Sequence, residues 1–163
     1  MNVHFEPMLP QHSQSVVDIF NYYVENGFSA YSERKVSHEF FDMLMDVSHG
    51  YPAIVAKDDH DQVIGFALLR EHHPMSTFLQ VAEITCFISP EYTGQGIGTS
   101  MLEHLVKEAK KKEITSILAS TSSLNKESIA FHKNNGFKEC GRFRNIGRKN
   151  GRLFDVVWLQ KML

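Results

Sequence analysis

Cysteine is scarce in this chain: only Cys86 and Cys140 are present, and they lack the spacing of a metal-ligand set. The expectation is two buried free thiols in a reducing cytoplasm. Charge of one sign is missing too. Lys and Arg number 17 against 19 Asp and Glu, a formal net charge of −2 that gives no electrostatic reason for a nucleic-acid partner. No apolar run approaches the roughly 20 residues that cross a bilayer, so no membrane role is expected. The opening MNVHFEPML lacks the basic and apolar regions of a signal peptide, which again points to the cytoplasm. Nine histidines are present but show no ligand spacing, and no metal is expected; His72-His73 and most others read as surface residues. There is no internal repeat, low-complexity tract or linker, so residues 1–163 read as one domain, long enough to bury a core. A composition 42% hydrophobic and 22% charged is that of an ordinary soluble globular protein.

What the chain does contain is concentrated in Val81–Lys112. Ile84-Thr85-Cys86-Phe87-Ile88 is a β-branched and aromatic run stopped by Ser89-Pro90, which predicts a strand. Ile97, Met101, Leu102, Leu105, Val106 and Ala109 recur at helical spacing, which predicts a helix with one apolar face. Between them lies Gly94-Gln95-Gly96-Ile97-Gly98. Glycines there remove Cβ atoms and permit unusual φ values, so amides opening the helix can converge on one anion at the positive end of its dipole. The turn is a phosphate-cradle candidate, or only a tight connection. Two better-known cradles fail on spelling. A P-loop needs lysine where Thr99-Ser100 follow Gly98, and the dinucleotide fingerprint needs G-x-G-x-x-G where this chain has G-x-G-x-G.

The remaining elements follow from patterning and breakers. Asn2–Glu6 is a candidate strand. Ser13 could cap a helix through Val24, ended by Asn26-Gly27, and Ser37 a second one to about Val47. Ala53–Ala56 and Val63–Leu69 form a hairpin, Thr77–Ile88 the fourth strand, Ile114–Thr121 a fifth. Asn125–Asn134 is helical, and Phe137–Arg144 with Leu153–Leu159 make a terminal hairpin around Lys149-Asn150-Gly151. The order β-α-α-β-β-β-α-β-α-β-β predicts an α+β fold of three layers, a mixed sheet with helices on both faces.

Gly96 and Gly98 fit the acetyl-CoA loop of the GNAT acetyltransferase family, Gln/Arg-x-x-Gly-x-Gly/Ala, with Thr93 departing at the first position. Downstream, Asn125, Ser128, His132, Gly136 and Phe137 fit that family's Asn-x-x-Ala/Ser-x-x-x-Tyr/His-x-x-x-Gly-Phe. Asn125, Ser128 and His132 would share one helix face and could meet one elongated ligand. Glu83–Pro90, Phe28–Glu33, Tyr51-Pro52 and Gly147–Val156 are similar to the phosphinothricin-type branch. At Met75–Gln80 the likeness fails, because Met75 and Phe78 replace an arginine and a tyrosine near the acceptor, which puts phosphinothricin itself in doubt. The resemblance implies a central sheet that splays after its fourth strand. It implies acetyl-CoA as co-substrate, held by Phe87, Ile88, Gly94, Gln95, Gly96, Ile97, Gly98, Thr99, Asn125 and Ser128, and a small primary amine as acceptor.

Acetyl transfer needs a neutral amine, a polarised thioester carbonyl and a departing thiolate. Glu83 is the candidate base, a carboxylate beginning an apolar strand. His132 stands where most of the family has a proton-donating tyrosine; histidine, with an ordinary pKa of about 6.5, can donate there or simply pack beside the cofactor. A main-chain amide near Phe87 or Ile88 would hold the carbonyl oxygen. Phe28, Tyr31 and Phe78, with the terminal hairpin, are expected to line the acceptor pocket, since their aromatic content follows no packing period. If the terminal hairpin is a sheet edge, two chains could pair there, and a homodimer is expected. The rival readings are a non-catalytic acyl-CoA-binding module and a nucleotide-dependent oxidoreductase, the second disfavoured by the missing third glycine.

Overall fold

The computed structural model describes all residues 1–163. Its elements are β1 His4–Pro7, α1 Ser13–Glu25, α2 His38–Val47, β2 Ala53–Lys57, β3 Val63–Glu71, β4 Val81–Ile88, α3 Ile97–Lys111, β5 Ser116–Ser122, α4 Lys126–Asn134, β6 Lys138–Lys149 and β7 Arg152–Met162. The order matches the one read from the sequence. The strands form one sheet, β1-β2-β3-β4-β5-β7-β6, antiparallel throughout except for β4–β5. Alternation along each strand sorts side chains onto two faces. On one face Ile54, Ala67, Leu69, Ile84 and Ile117 pack against Met101, Leu105 and Ala109 of α3. On the other, Val55, Phe66 and Leu68 pack against Val16 and Phe20 of α1 and Phe41 of α2. A fully buried side chain such as Leu105 contributes roughly 1.5–3 kcal/mol by leaving water.

Several boundaries differ from the expected ones. His12, not Ser13, occupies the N-cap position of α1, because Pro10 opens a 3₁₀ turn over Pro10–His12 that runs straight into the helix. β4 begins at Val81 rather than Thr77. Ser76–Phe78 is instead a 3₁₀ turn, and exposed Met75 and Leu79 flank it. The terminal hairpin is longer than expected, reaching Lys149 and Arg152 around Asn150-Gly151, both at positive φ as the tight turn requires. Cys140 is exposed on β6, not buried, because this outermost strand faces solvent from Lys138 to Ile146; neither cysteine is paired.

The feature that positions the site is the β4–β5 pairing. Those strands pair only over Val81–Glu83 and Ser116–Leu118. Beyond Glu83 the two part, β4 remaining bonded to β3 as far as Ile88 and β5 to β7 as far as Ser122. A V-shaped cleft opens between them.

Candidate active site

The ladder decides which backbone groups face the cleft. Ser89 N–H donates to Ile64 O at 2.8 Å, in register with the β3–β4 pairs, so odd-numbered residues of β4 bond toward β3. Even-numbered ones face β5, as Gln80 O does in accepting from Thr115 N–H at 2.9 Å. Of the two amides expected to hold a carbonyl oxygen, that of Ile88 therefore faces the cleft, and that of Phe87 does not. Cys86 presents its amide on the same side. The Cys86 side chain packs on the α3-side core, where burial pushes its thiol up to about 12 although part of its surface stays accessible. The Tyr23 hydroxyl donates to Ile88 O at 2.5 Å from the α1 side, and burial pushes its pKa up to about 12.

At the C-terminal end of β4 the glycine turn delivers the chain into α3. Gly94 and Gly96 adopt φ of 73° and 81°, in the left-handed region, and a Cβ built on either would meet no atom within 4 Å. The space over these residues is open. The first backbone bond of α3 is Ser100 N–H to Gly96 O, at 3.1 Å, and no amide from Gly94 to Thr99 donates to a carbonyl. Unpaired donors converge there at a helix N-terminus, the arrangement that binds phosphates. Gly98 has a different reason to be glycine: a Cβ would lie 3.0 Å from Phe131 and 3.2 Å from Ile88, so its absence lets α3 approach α4 and the end of β4. Thr93 spends its hydroxyl on Pro90 O at 2.9 Å, fixing the turn ahead of the cradle.

Across the cleft, Asn125 caps α4. Its Oδ1 accepts from Ser128 N–H at 3.1 Å, and its Nδ2 donates to Ser29 Oγ at 3.0 Å, tying the helix to the loop after α1. His132 is buried between Phe131 and Phe137, with ring centroids at 5.1 and 4.9 Å. Its Nδ1 lies 2.7 Å from Ser128 O, an acceptor, so Nδ1 carries the hydrogen. Burial lowers its pKa, partly offset by that bond. The ring is held neutral with a lone pair at Nε2, the form of an acceptor or a packing group.

Glu83 stands where the strands begin to part. Its Oε1 lies 3.4 Å from an Arg70 guanidinium nitrogen and its Oε2 3.1 Å from His72 Nδ1. Arg70 also donates to the Thr85 hydroxyl. The Phe78 ring sits edge-on to His72 at 6.2 Å. Tyr31 and Phe28 gather around Phe154, with centroids at 5.7 and 6.2 Å, and Arg152 lies over Phe28 at 5.6 Å. Burial of its phenol raises the pKa of Tyr31, opposed by a hydrogen bond with Ser120 and by the charge of Arg70. Beneath this loop, buried Lys149 donates to Gly27 O and Ala30 O, each at 2.8 Å, and to Tyr23 O at 3.4 Å.

The sequence reading missed Arg70, His72, Tyr23 and Lys149. Arg70 was open to inference, since it is the direct cross-strand partner of Glu83. His72, expected at the surface, is bound to that carboxylate. Lys149 carried no signal, because a lysine in a turn ordinarily points to water. No group of three or more His, Cys, Asp or Glu is arranged to hold a metal ion.

A mixed sheet parted after its fourth strand, with free amides at a glycine turn beside the opening, defines a class of acyl-CoA-dependent transferases. The chain belongs to the Acetyltransferase (GNAT) family, whose model matches residues 16–137, and acetyl transfer from acetyl-CoA is its chemistry. Among its relatives, the L-methionine sulfoximine/L-methionine sulfone acetyltransferase of Pseudomonas paraeruginosa is 28% identical over 149 residues, 89% of this chain and 86% of that one. The phosphinothricin N-acetyltransferase of Streptomyces coelicolor is 26% identical, covering 99% and 96%. The crystal structure of a GNAT superfamily phosphinothricin acetyltransferase from Sinorhizobium meliloti, in complex with AcCoA, superposes with a TM-score of 0.92 at 28% identity, over 100% of this chain and 89% of the other. These likenesses support the phosphinothricin-type branch.

Proposed function

We propose that this chain acetylates the primary amine of an amino acid or a close analogue, by direct attack within a ternary complex with acetyl-CoA. The observation that carries the reading is the cleft itself. It has unpaired amides of Gly94–Thr99 at one end and the Glu83 carboxylate at the other, joined by the inward-facing amides of Cys86 and Ile88. The amides of Gly94, Gln95, Gly96, Ile97, Gly98 and Thr99 would take the phosphates. The Ile88 amide would hold the thioester oxygen, where charge develops. Asn125 and Ser128 would border the cofactor from α4, and neutral His132 would pack there as an acceptor rather than protonate sulfur. Glu83 supplies the negative charge for deprotonation, directly or through a group that it orients. The amine loses one proton, its nitrogen bonds to the carbonyl carbon, the C–S bond breaks, and the thiolate leaves and is protonated.

Phe28, Tyr31 and Phe78 would contact the acceptor side chain. With Met75 and Phe78 exposed in the segment that packs on His72, the acceptor side would be more apolar than a phosphinothricin site would require. Residues 1–163 act as one domain in this reading, in a reducing cytoplasm consistent with two free thiols. Two chains would pair along β6, a 12-residue outermost strand that exposes Phe143 and Ile146 beside Leu153. Sedimentation that finds only monomer at assay concentration, with full activity, would remove the dimer. The function is tested by offering a panel of amino acids and simple amines with acetyl-CoA and following thiol release. Turnover of at least one amine is expected. Acetyl-CoA binding without turnover of any would favour a non-catalytic acyl-CoA-binding module.

A further inference from the structure

We infer that His72 is the catalytic proton acceptor and that Glu83 acts on the amine only by positioning it. This rests on the acetyl-transfer reading above and names who touches the proton. Both oxygens of Glu83 already have partners, Arg70 on Oε1 at 3.4 Å and His72 Nδ1 on Oε2 at 3.1 Å. A carboxylate accepts, so Nδ1 carries the hydrogen in this pair, and the lone pair of a neutral ring is at Nε2. No group of the chain bonds to His72 Nε2. The ring is about one-third exposed, at 32%, whereas Glu83 is 16% exposed. Phe78 packs edge-on against it, so His72 borders the segment assigned to the acceptor.

The order of parts is that of a base oriented by a second group and that second group fixed by a third. Arg70, anchored on Thr85, holds Glu83; Glu83 selects the His72 tautomer and orientation; His72 offers Nε2. The step balances. An ammonium proton passes to Nε2, the freed lone pair attacks the acetyl carbon, the C–S bond breaks, and the second nitrogen proton passes to the departing thiolate, which leaves a neutral amide and a free thiol. Glu83 stays ionised beside the resulting imidazolium, which returns its proton to solvent after product leaves. Each Glu83 oxygen keeps a second lone pair, but the carboxylate is the less exposed of the two groups, at 16% against 32% for His72.

The experiment compares wild type, His72→Gln, Glu83→Gln and the double variant, using an amine found in the panel. His72→Gln should lower kcat by about 10²- to 10³-fold, the scale of a lost general base, and leave the KM for acetyl-CoA within about twofold. Glu83→Gln should fall by a similar factor, because an amide can donate to Nδ1 and reverse the tautomer. The double variant should be no more than a few-fold worse than either single one, as for residues acting as a unit. Exogenous imidazole should restore part of the activity of His72→Ala, which a merely structural histidine would not permit. If His72→Gln keeps kcat within about twofold while Glu83→Gln loses it, Glu83 is the base and the inference is wrong. Losses that multiply in the double variant would overturn it too. No turnover by wild type with any amine would instead remove the acetyl-transfer reading on which it stands.

Discussion

Replacing Lys149 by methionine probes how the acceptor loop is held. The side chain is 1% exposed, and its ammonium donates to Gly27 O and Ala30 O at 2.8 Å and to Tyr23 O at 3.4 Å. Those carbonyls lie in the last turn of α1 and the loop after it, where helix geometry leaves acceptors unpaired and the dipole favours a cation. Methionine keeps the stem and removes every donor. The buried Ala30 carbonyl loses a short bond at about 1–3 kcal/mol and the part-buried Gly27 carbonyl one at the lower end of that range. Burial lowers the pKa of Lys149, with Glu33 opposing, so part of that loss is returned when the charge is no longer desolvated. A net destabilisation of roughly 2–4 kcal/mol follows. For a chain of this size each kcal/mol moves Tm by about 2–4 °C, so calorimetry at neutral pH should find a fall of roughly 4–16 °C. The amine KM should rise more than that for acetyl-CoA, since Phe28 and Tyr31 sit on the loosened loop. A Tm within about 2 °C of wild type would refute the assignment of Lys149 as the clamp.

Tyr31→Ala and Phe78→Ala should each raise the KM for the amine several-fold and leave that for acetyl-CoA nearly unchanged; unchanged amine kinetics in both would move the acceptor pocket elsewhere. His132 gives a pH signature. Its pKa is lowered in the folded chain, so an unfolded chain binds a proton first as pH falls below about 6.5. Its contribution to stability is full above that value and is lost as pH drops toward the folded pKa. Denaturant midpoints measured from pH 7 to pH 5 should therefore fall more steeply for wild type than for His132→Gln; parallel slopes would show that the ring is not held neutral.

Much of the fold was legible because its signals are local. The helical period of Ile97–Ala109, the β-branched run at Ile84–Ile88 and the glycines at 94, 96 and 98 each name an element without tertiary knowledge. Thr77–Leu79 misled because its composition suits a strand, yet the chain there makes a 3₁₀ turn and its ladder bonds begin only at Gln80. Cys140 misled because a free thiol in a strand is ordinarily buried, whereas β6 is the sheet's outer strand and is exposed on both faces around it. The site was legible as far as its backbone parts. Gly96 and Gly98 could be read because a cradle is made by removing side chains, which a sequence records directly. The Arg70–Glu83–His72 cluster was legible only in part: pairing register sets Arg70 opposite Glu83, but His72 lies just past the end of β3, where register no longer places a side chain. Lys149 and Tyr23 act across more than 60 residues of chain on backbone carbonyls, for which the sequence has no code.

The central claim is that backbone amides at Gly94–Thr99 hold acetyl-CoA, and calorimetric titration of Gly96→Val with acetyl-CoA tests it most directly. Gly96 stands at φ 81° with no atom within 4 Å of a built Cβ, so valine strains the backbone and projects into the open space over the cradle. The strain alone costs about 1–2 kcal/mol or more. Gly50→Val is the control, at φ 82° with equally open space but in the turn after α2, outside the Gly94–Thr99 cradle. Losing two charge-assisted bonds at about 1.5–3 kcal/mol each corresponds to an affinity loss of at least about 100-fold. The account predicts that loss in folded Gly96→Val and near wild-type affinity in Gly50→Val; wild-type affinity in Gly96→Val would contradict it.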